Sequence, residues 1–311
     1  MPATGAPNII ANMKSLQTIF FQTLAEMPDF NLTKLANVIG STSLTESYGM
    51  FSAAPGFEES HDDKILYQRL IDKVFSVLNV EYNAGVAVDR LTMITARADK
   101  YGPAIQELAQ NARLLILEQI EATINANSTC WDGQALFSAS HSWGKSGTQT
   151  NIVSGTGTTA AQILADYRSA KLLLRELKNS AGRVIRRPLF KPFLLVPSDI
   201  EGVMEELQSS ELISSSTNVL KGKFEYMVLE GLTSADDWYM IDTSKAVKAF
   251  IVQELEAITL TTINPDLRHG SGMEGFQVGG AEADSKDYKF FGRWSGKVAP
   301  GQWLNIAMID N

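Results

Sequence analysis

Residues 72–90 read DKVFSVLNVEYNAGVAVDR. Apolar and small side chains recur there at every second position, Val74, Ser76, Leu78, Val80, Tyr82, Ala84, Val86 and Val88, while Asn79, Glu81, Asn83, Gly85 and Asp89 fall between. A period of two predicts a β-strand with one covered face. At about 3.3 Å per residue, residues 74–88 would reach roughly 50 Å, far beyond an ordinary strand. The stretch therefore reads as one arm of a long projecting hairpin, with 63–71 (DKILYQRLI) as the other arm.

Upstream, Met13 to Met27 forms a short amphipathic segment ended by Pro28, and 31–49 shows no sustained period, so residues 1–43 read as an arm lying on other surfaces. Downstream, Gly102-Pro103 opens a stretch without interior glycine or proline that runs to Asn127, with proline at the favoured first helical position. Ile105, Leu108, Ala112, Leu115, Gln119 and Ala122 make one face, which Leu114, Leu117 and Ile124 broaden. Such a helix would be about 36 Å long. A Ser/Gly/Thr-rich loop over 138–159 follows, then a second helix stopping at Gly182. FLLVPSDIEGVMEELQSS (193–210) predicts a buried strand, a turn at Pro197 and a helix capped by Ser198. Short strands are expected at 224–231, 237–243, 248–254 and 258–263, and a last one at the end of 286–311. Strands and helices mix without regular alternation, which favours an α+β fold over a doubly wound sheet.

The composition is that of an ordinary soluble globular protein, with 311 residues, 44% hydrophobic and 20% charged. This length allows two lobes or one large irregular unit. No apolar run reaches the roughly 18 residues that a membrane-spanning helix needs, and the start lacks the features of a secretion signal. With one cysteine no internal disulfide can form, which fits folding in a reducing cytoplasm. A net charge of −8 argues against gripping phosphate backbones over a wide surface.

Candidate chemistry concentrates in CWDGQALFSASH, Cys130 to His141, which holds a thiol, a carboxylate and an imidazole. Nucleophilic catalysis needs such groups within reach of one another, but a free cysteine is commonly a small buried hydrophobe. GTGTTA at 155–160 resembles a dinucleotide fingerprint, yet only NIV precedes it where a full strand is required, and Glu176 lies inside a helix. ASHSWGKS (139–146) ends like a phosphate loop, but Ala139 replaces the first glycine and no helix starts after Ser146. His61, His141 and His269 lack metal-ligand spacing. No catalytic, cofactor or metal site is expected. Arg183, Arg186, Arg187 and Lys191 form a basic segment suited to solvated or intersubunit ion pairs.

In order along the chain, TESYGMFSAAPGF (45–57), DKVFSVLNVEYNAGVAVDR (72–90), DGQALFSASH (132–141) and FKPFLLVPSDIEGVMEEL (190–207) resemble the Mu-type major head subunits of tailed phages and prophages, which are similar to the Hong Kong 97 family of capsid proteins. The resemblance implies an N-terminal arm over 1–44 and an extended loop over 45–92. It further implies a peripheral domain over 93–190 and 285–311 with a spine helix at 103–127, and an axial domain over 191–284. In such proteins the 132–141 stretch follows the spine helix, so Asp132-Gly133 would turn the chain and Phe137 would anchor it, with no catalytic role for Cys130 or His141. The function implied is self-assembly into pentamers and hexamers that close an icosahedral shell around double-stranded DNA held without sequence-specific contacts. Scaffold, portal and decoration proteins would be partners, and the chain would assemble in the host bacterial cytoplasm and reside in the virion, not in a membrane. Residues expected to meet neighbouring subunits are Asp62, Asp63, Lys64, Tyr67, Arg69, Glu81, Arg183, Arg186 and Arg187. A tube- or sheath-forming phage protein, or an enzyme using the Cys130 to His141 loop, are the other readings.

Overall fold

The structure is a computed structural model that describes residues 6–51, 72–95, 98–189, 191–213, 216–264, 276–277 and 287–311. Its longer helices are α1 (Ala6–Glu26), α2 (Gly102–Asn125), α3 (Ala160–Glu176) and α4 (Glu201–Ser209). Its longer strands begin with β1 (Ala36–Gly40), β2 (Thr45–Phe51), β3 (Asp72–Leu78), β4 (Val80–Val88) and β5 (Ile152–Ser154). They continue with β6 (Phe193–Val196), β7 (Glu225–Val228), β8 (Trp238–Ile241), β9 (Phe250–Ile263), β10 (Tyr288–Pro300) and β11 (Ile306–Asp310). The mixture is α+β, as the sequence implies.

One sheet runs β1-β9-β10-β4 and packs against α1 and α2. Strand β10 alternates cleanly in its first half, where Tyr288, Phe290 and Trp294 are buried. The second sheet runs β7-β6-β8-β11-β5, with α3 over β11 and β5 and α4 beside β7. Its two central strands, β6 and β8, are buried at every position, so they show no alternation.

Helix α2 spans two hydrophobic clusters. Ile105, Leu108 and Ala109 join a smaller core with Met13, Leu16, Phe20 and Val88, whereas Ile116, Ile120 and Ile124 enter the main core. In the second half the buried stripe therefore passes through 116, 120 and 124 instead of the expected 115, 119 and 122. A different wall meets each half of the helix, and a single period cannot describe both.

Several expectations are corrected. The amphipathic N-terminal segment is longer than expected: α1 begins at Ala6, ends before Pro28 and buries Ile9, Met13, Leu16 and Phe20, one to each turn, in the smaller core. Strand β1 then pairs in parallel with β9. The segment 72–88 is not one strand. It breaks at Asn79, where β3 leaves its partner β2 and β4 takes up β10. The hairpin partner of β3 is 45–51, because Thr45 faces Leu78 and Phe51 faces Asp72; the expected partner, 63–71, lies outside the described residues. The strands expected at 248–254 and 258–263 are one strand, β9, with register shifts between Glu254 and Thr259 that absorb its acidic middle. Helix α3 ends at Glu176, short of Gly182. A single turn of 3-10 helix over Ser198–Ile200 precedes α4, and Ser198 does not cap it. Strand pairing also crosses the expected boundaries at 191 and 284. Residues 250–263 belong with β10 and β4, while 306–310 and 152–154 belong with β6, β7 and β8.

Candidate functional site: the 130–141 loop and the charged surface

The 130–141 loop leaves α2 through Asn127, whose backbone is left-handed at φ 42°. The Asn127 side chain pairs with Phe137 as a strand neighbour would, its Oδ1 accepting from the Phe137 N–H at 2.8 Å and its Nδ2 donating to the Phe137 carbonyl at 3.0 Å. Between them the chain reverses at Asp132-Gly133. Gly133, at φ 86°, donates its N–H to the Cys130 carbonyl, and Asp132 Oδ1 accepts from the Gln134 N–H at 3.2 Å. Phe137 is buried against Tyr239, with 5.0 Å between ring centroids.

His141 and Asp132 meet inside this turn. Their side chains are 0% and 1% exposed, and His141 Nδ1 lies 2.7 Å from Asp132 Oδ2. His141 Nε2 faces the Leu136 carbonyl at 3.2 Å, and the ring stacks on Trp303 at 4.0 Å. Asn151 Nδ2 donates to the same Leu136 carbonyl, and Asn151 Oδ1 accepts from the Ser138 N–H. This network closes a loop that has few regular backbone pairs of its own. Cys130 is buried, and burial, helped by the Asp132 carboxylate, pushes its thiol far above the ordinary range. The imidazole is engaged by Asp132 and Leu136, so His141 and Asp132 form a structural lock, with Cys130 buried in the core beside it. Among the described residues no cluster of His, Cys, Asp or Glu has the make-up to hold a metal ion. No described helix is long and apolar enough to cross a membrane.

The residues expected at subunit contacts are dispersed. Asp62, Asp63, Lys64, Tyr67 and Arg69 lie outside the described residues. Glu81 is exposed and ion-paired with Arg293 of its own chain at 3.2 Å. Arg183 and Arg186 are exposed on the segment after α3. Arg187 is a correction: it points inward, its Nη1 donating to Asp242 Oδ2 at 3.0 Å and to Asn305 Oδ1 at 2.9 Å. A buried guanidinium needs partners, and Asp242 and Asn305 supply them from 55 and 118 residues away, beyond the reach of sequence reasoning.

Sequence reasoning also missed the clamp at the hairpin base. Asn79 donates from its backbone to Leu44 and from Nδ2 to Ser43 O at 2.8 Å, and Tyr48 Oη donates to the buried Gln253 Oε1 at 2.8 Å. Gln253 Nε2 in turn donates to the Val77 carbonyl. On the hairpin Val74 and Leu78 are bare, 61% and 55% exposed, and Leu44 and Val80, which flank its base, are 65% and 39% exposed.

A family model described as the Mu-like prophage major head subunit gpT matches residues 9–171. A Mu-like prophage FluMu major head subunit from Haemophilus influenzae is 25% identical over 236 residues, covering 74% of this chain and 75% of that protein. Among solved structures, the fold is similar to a chain of the bacteriophage JBD30 procapsid (TM-score 0.55, 19% identity, 98% of this chain and 76% of that one). It is likewise similar to the Pyrococcus furiosus virus-like particle (TM-score 0.54, 11% identity, 96% and 98%).

Proposed function

Since the chain belongs to the Mu-like prophage major head subunit gpT family and is a shell-forming capsid protein, we propose that it assembles into pentamers and hexamers that close an icosahedral head around the double-stranded DNA of a tailed phage. Assembly, not catalysis, is its activity. The observation that carries this reading is the hairpin β2–β3, clamped at its base and bearing Val74 and Leu78, apolar side chains left bare by the described residues. Exposed apolar groups in a row mark a surface built for a partner. Many such modest contacts act together in a closed shell, because each later contact is effectively intramolecular.

The acidic balance suits a wall that surrounds DNA without gripping it. The extended loop corresponds to 45–92. We assign α1, α2, β1, β9 and β10 to the peripheral part, with β4 of the extended loop paired onto β10, and α3, α4, β5 to β8 and β11 to the axial part, a division that follows the two sheets. Scaffold, portal and decoration proteins are the further partners, the host bacterial cytoplasm is the place of assembly and the virion is the destination.

Negative-stain electron microscopy and sedimentation of the full chain, expressed alone and together with a candidate scaffold protein, test this reading. Closed shells or rings of five and six subunits are expected. Open tubes would replace the icosahedral head with a helical assembly, and a monomer under both conditions would overturn the proposal. Deleting Asp62 to Leu70 should leave a folded chain that forms no shells.

A further inference from the structure

Helix α3 carries Arg168, Lys171 and Arg175 on one stripe, spaced by three and four residues so that they share a face. The stripe borders a cleft of about 480 Å³, completed by Tyr167, Leu172 and the 219–223 turn with Lys223. Among the described residues none of these four cations makes an ion pair, although Lys171 lies over the Tyr167 ring, 5.6 Å from its centroid. Burial, Arg175 and Lys223 all push the Lys171 amine below its ordinary value, and no carboxylate opposes them. In a chain of net charge −8 this is a concentrated positive site. Its apolar components, Leu172 and Val219, are 57% and 50% exposed.

Helix α4 shows the opposite character. Glu201, Glu205 and Glu206 are exposed, and among the described residues they too lack an ion-pair partner. They stand beside β7, the outer strand of the second sheet, where after burial the main influences on Tyr226 are Glu205 and Glu201. Gly202 leaves open space between these acids, so another surface can come close to the helix. The two patches sit on one structural unit but do not neutralise each other.

We infer that the acidic face of α4 in one copy seats in the basic α3 cleft of the next copy, giving a head-to-tail contact that closes rings. Unlike patches on one chain generate heterologous interfaces, and these close into rings when the rotation permits. A polyanion such as DNA fits the cleft less well, because half of its named lining is apolar and only four cations gather there. The charges set register and partner choice, while Leu172 and Val219 gain cover.

This inference rests on the self-assembly reading, so the test separates the two. Isotopically light and heavy full-length chains are mixed, assembled and treated with a zero-length carbodiimide, and linked peptides are identified by mass spectrometry. Light-to-heavy links joining Lys171 or Lys223 to the 201–206 segment are expected; assembled particles without them would overturn the contact. In parallel, Lys171→Glu with Arg175→Glu should reduce sedimenting assemblies by roughly tenfold or more with an unchanged melting temperature, since facing like charges repel. Adding Glu201→Lys and Glu205→Lys to that variant should restore assembly. Normal assembly of the first double variant, or shells that form normally but lose DNA, would overturn the inference. A parent chain that never assembles would overturn the function itself.

Discussion

The imidazole of His141 lies flat on the indole of Trp303, with 4.0 Å between ring centroids and 5° between planes, while its Nδ1 holds the buried carboxylate of Asp132. The turn after α2 and the loop before α3, nine residues apart, are thereby pinned to each other and to the distant approach to the last strand. Removing one member of a buried pair strands the other, a loss of about 3–5 kcal/mol. His141→Ala should lower stability by that order in urea unfolding. His141→Phe, which keeps a ring on Trp303 but abandons Asp132, should be nearly as damaging. Parent-like stability in His141→Phe would show that stacking alone holds the loop.

Cys130 sits one turn from that lock, and burial holds its thiol protonated. A thiol reagent at pH 8 should leave the folded chain unmodified and label it fully after denaturation, because the thiolate is the reactive form. Cys130→Ala should retain assembly, with a stability loss below about 2 kcal/mol from the small cavity. Rapid labelling of the native chain would mean that this loop opens.

Sequence showed some of this architecture and hid the rest for identifiable reasons. Pro103 and the apolar stripe made α2 legible, since helix signals are local. The Asp132-Gly133 turn and the anchoring of Phe137 were expected from the family resemblance, and the structure has both. Asn151, Trp303, Asp242 and Asn305 were invisible as partners because their contacts depend on strand order, which no local pattern encodes. The break at Asn79 was hidden more subtly. Alternation runs unbroken through it, but the inward phase changes from Phe75 and Val77 to Tyr82, Val86 and Val88, so the apolar even positions before the break face outward.

Glu121 on α2 accepts the Gly231 N–H at 3.1 Å from the segment that joins β7 to β8. Burial pushes its carboxyl above the ordinary value of 4.5, opposed by that hydrogen bond and aided by Glu118 and Glu230. A carboxyl whose folded pKa exceeds its unfolded value contributes most stability below the unfolded pKa and loses it as pH rises through the folded one. Glu121→Gln keeps a carbonyl for Gly231 and removes the charge. It should therefore melt above the parent at pH 8, with the advantage disappearing below pH about 4. A Cβ at 231 would run into the Glu121 carboxylate, so Gly231→Ala should melt lower at every pH.

The phase change at Asn79 separates folding from assembly within one hairpin. Val77 is 5% exposed and faces Gln253 and the core, whereas Val74 and Leu78 are 61% and 55% exposed. Replacing Val74 and Leu78 together by Thr keeps strand propensity, so unfolding of the isolated chain should shift by no more than about 0.5 kcal/mol per site. If a neighbouring subunit covers them, each lost side chain removes about 1.5–3 kcal/mol from that contact. The concentration needed for assembly should then rise by about tenfold or more in sedimentation. Val77→Thr should do the reverse, lowering the melting temperature before any effect on assembly. Equal effects on folding from both substitutions would mean that the even face is covered within its own chain.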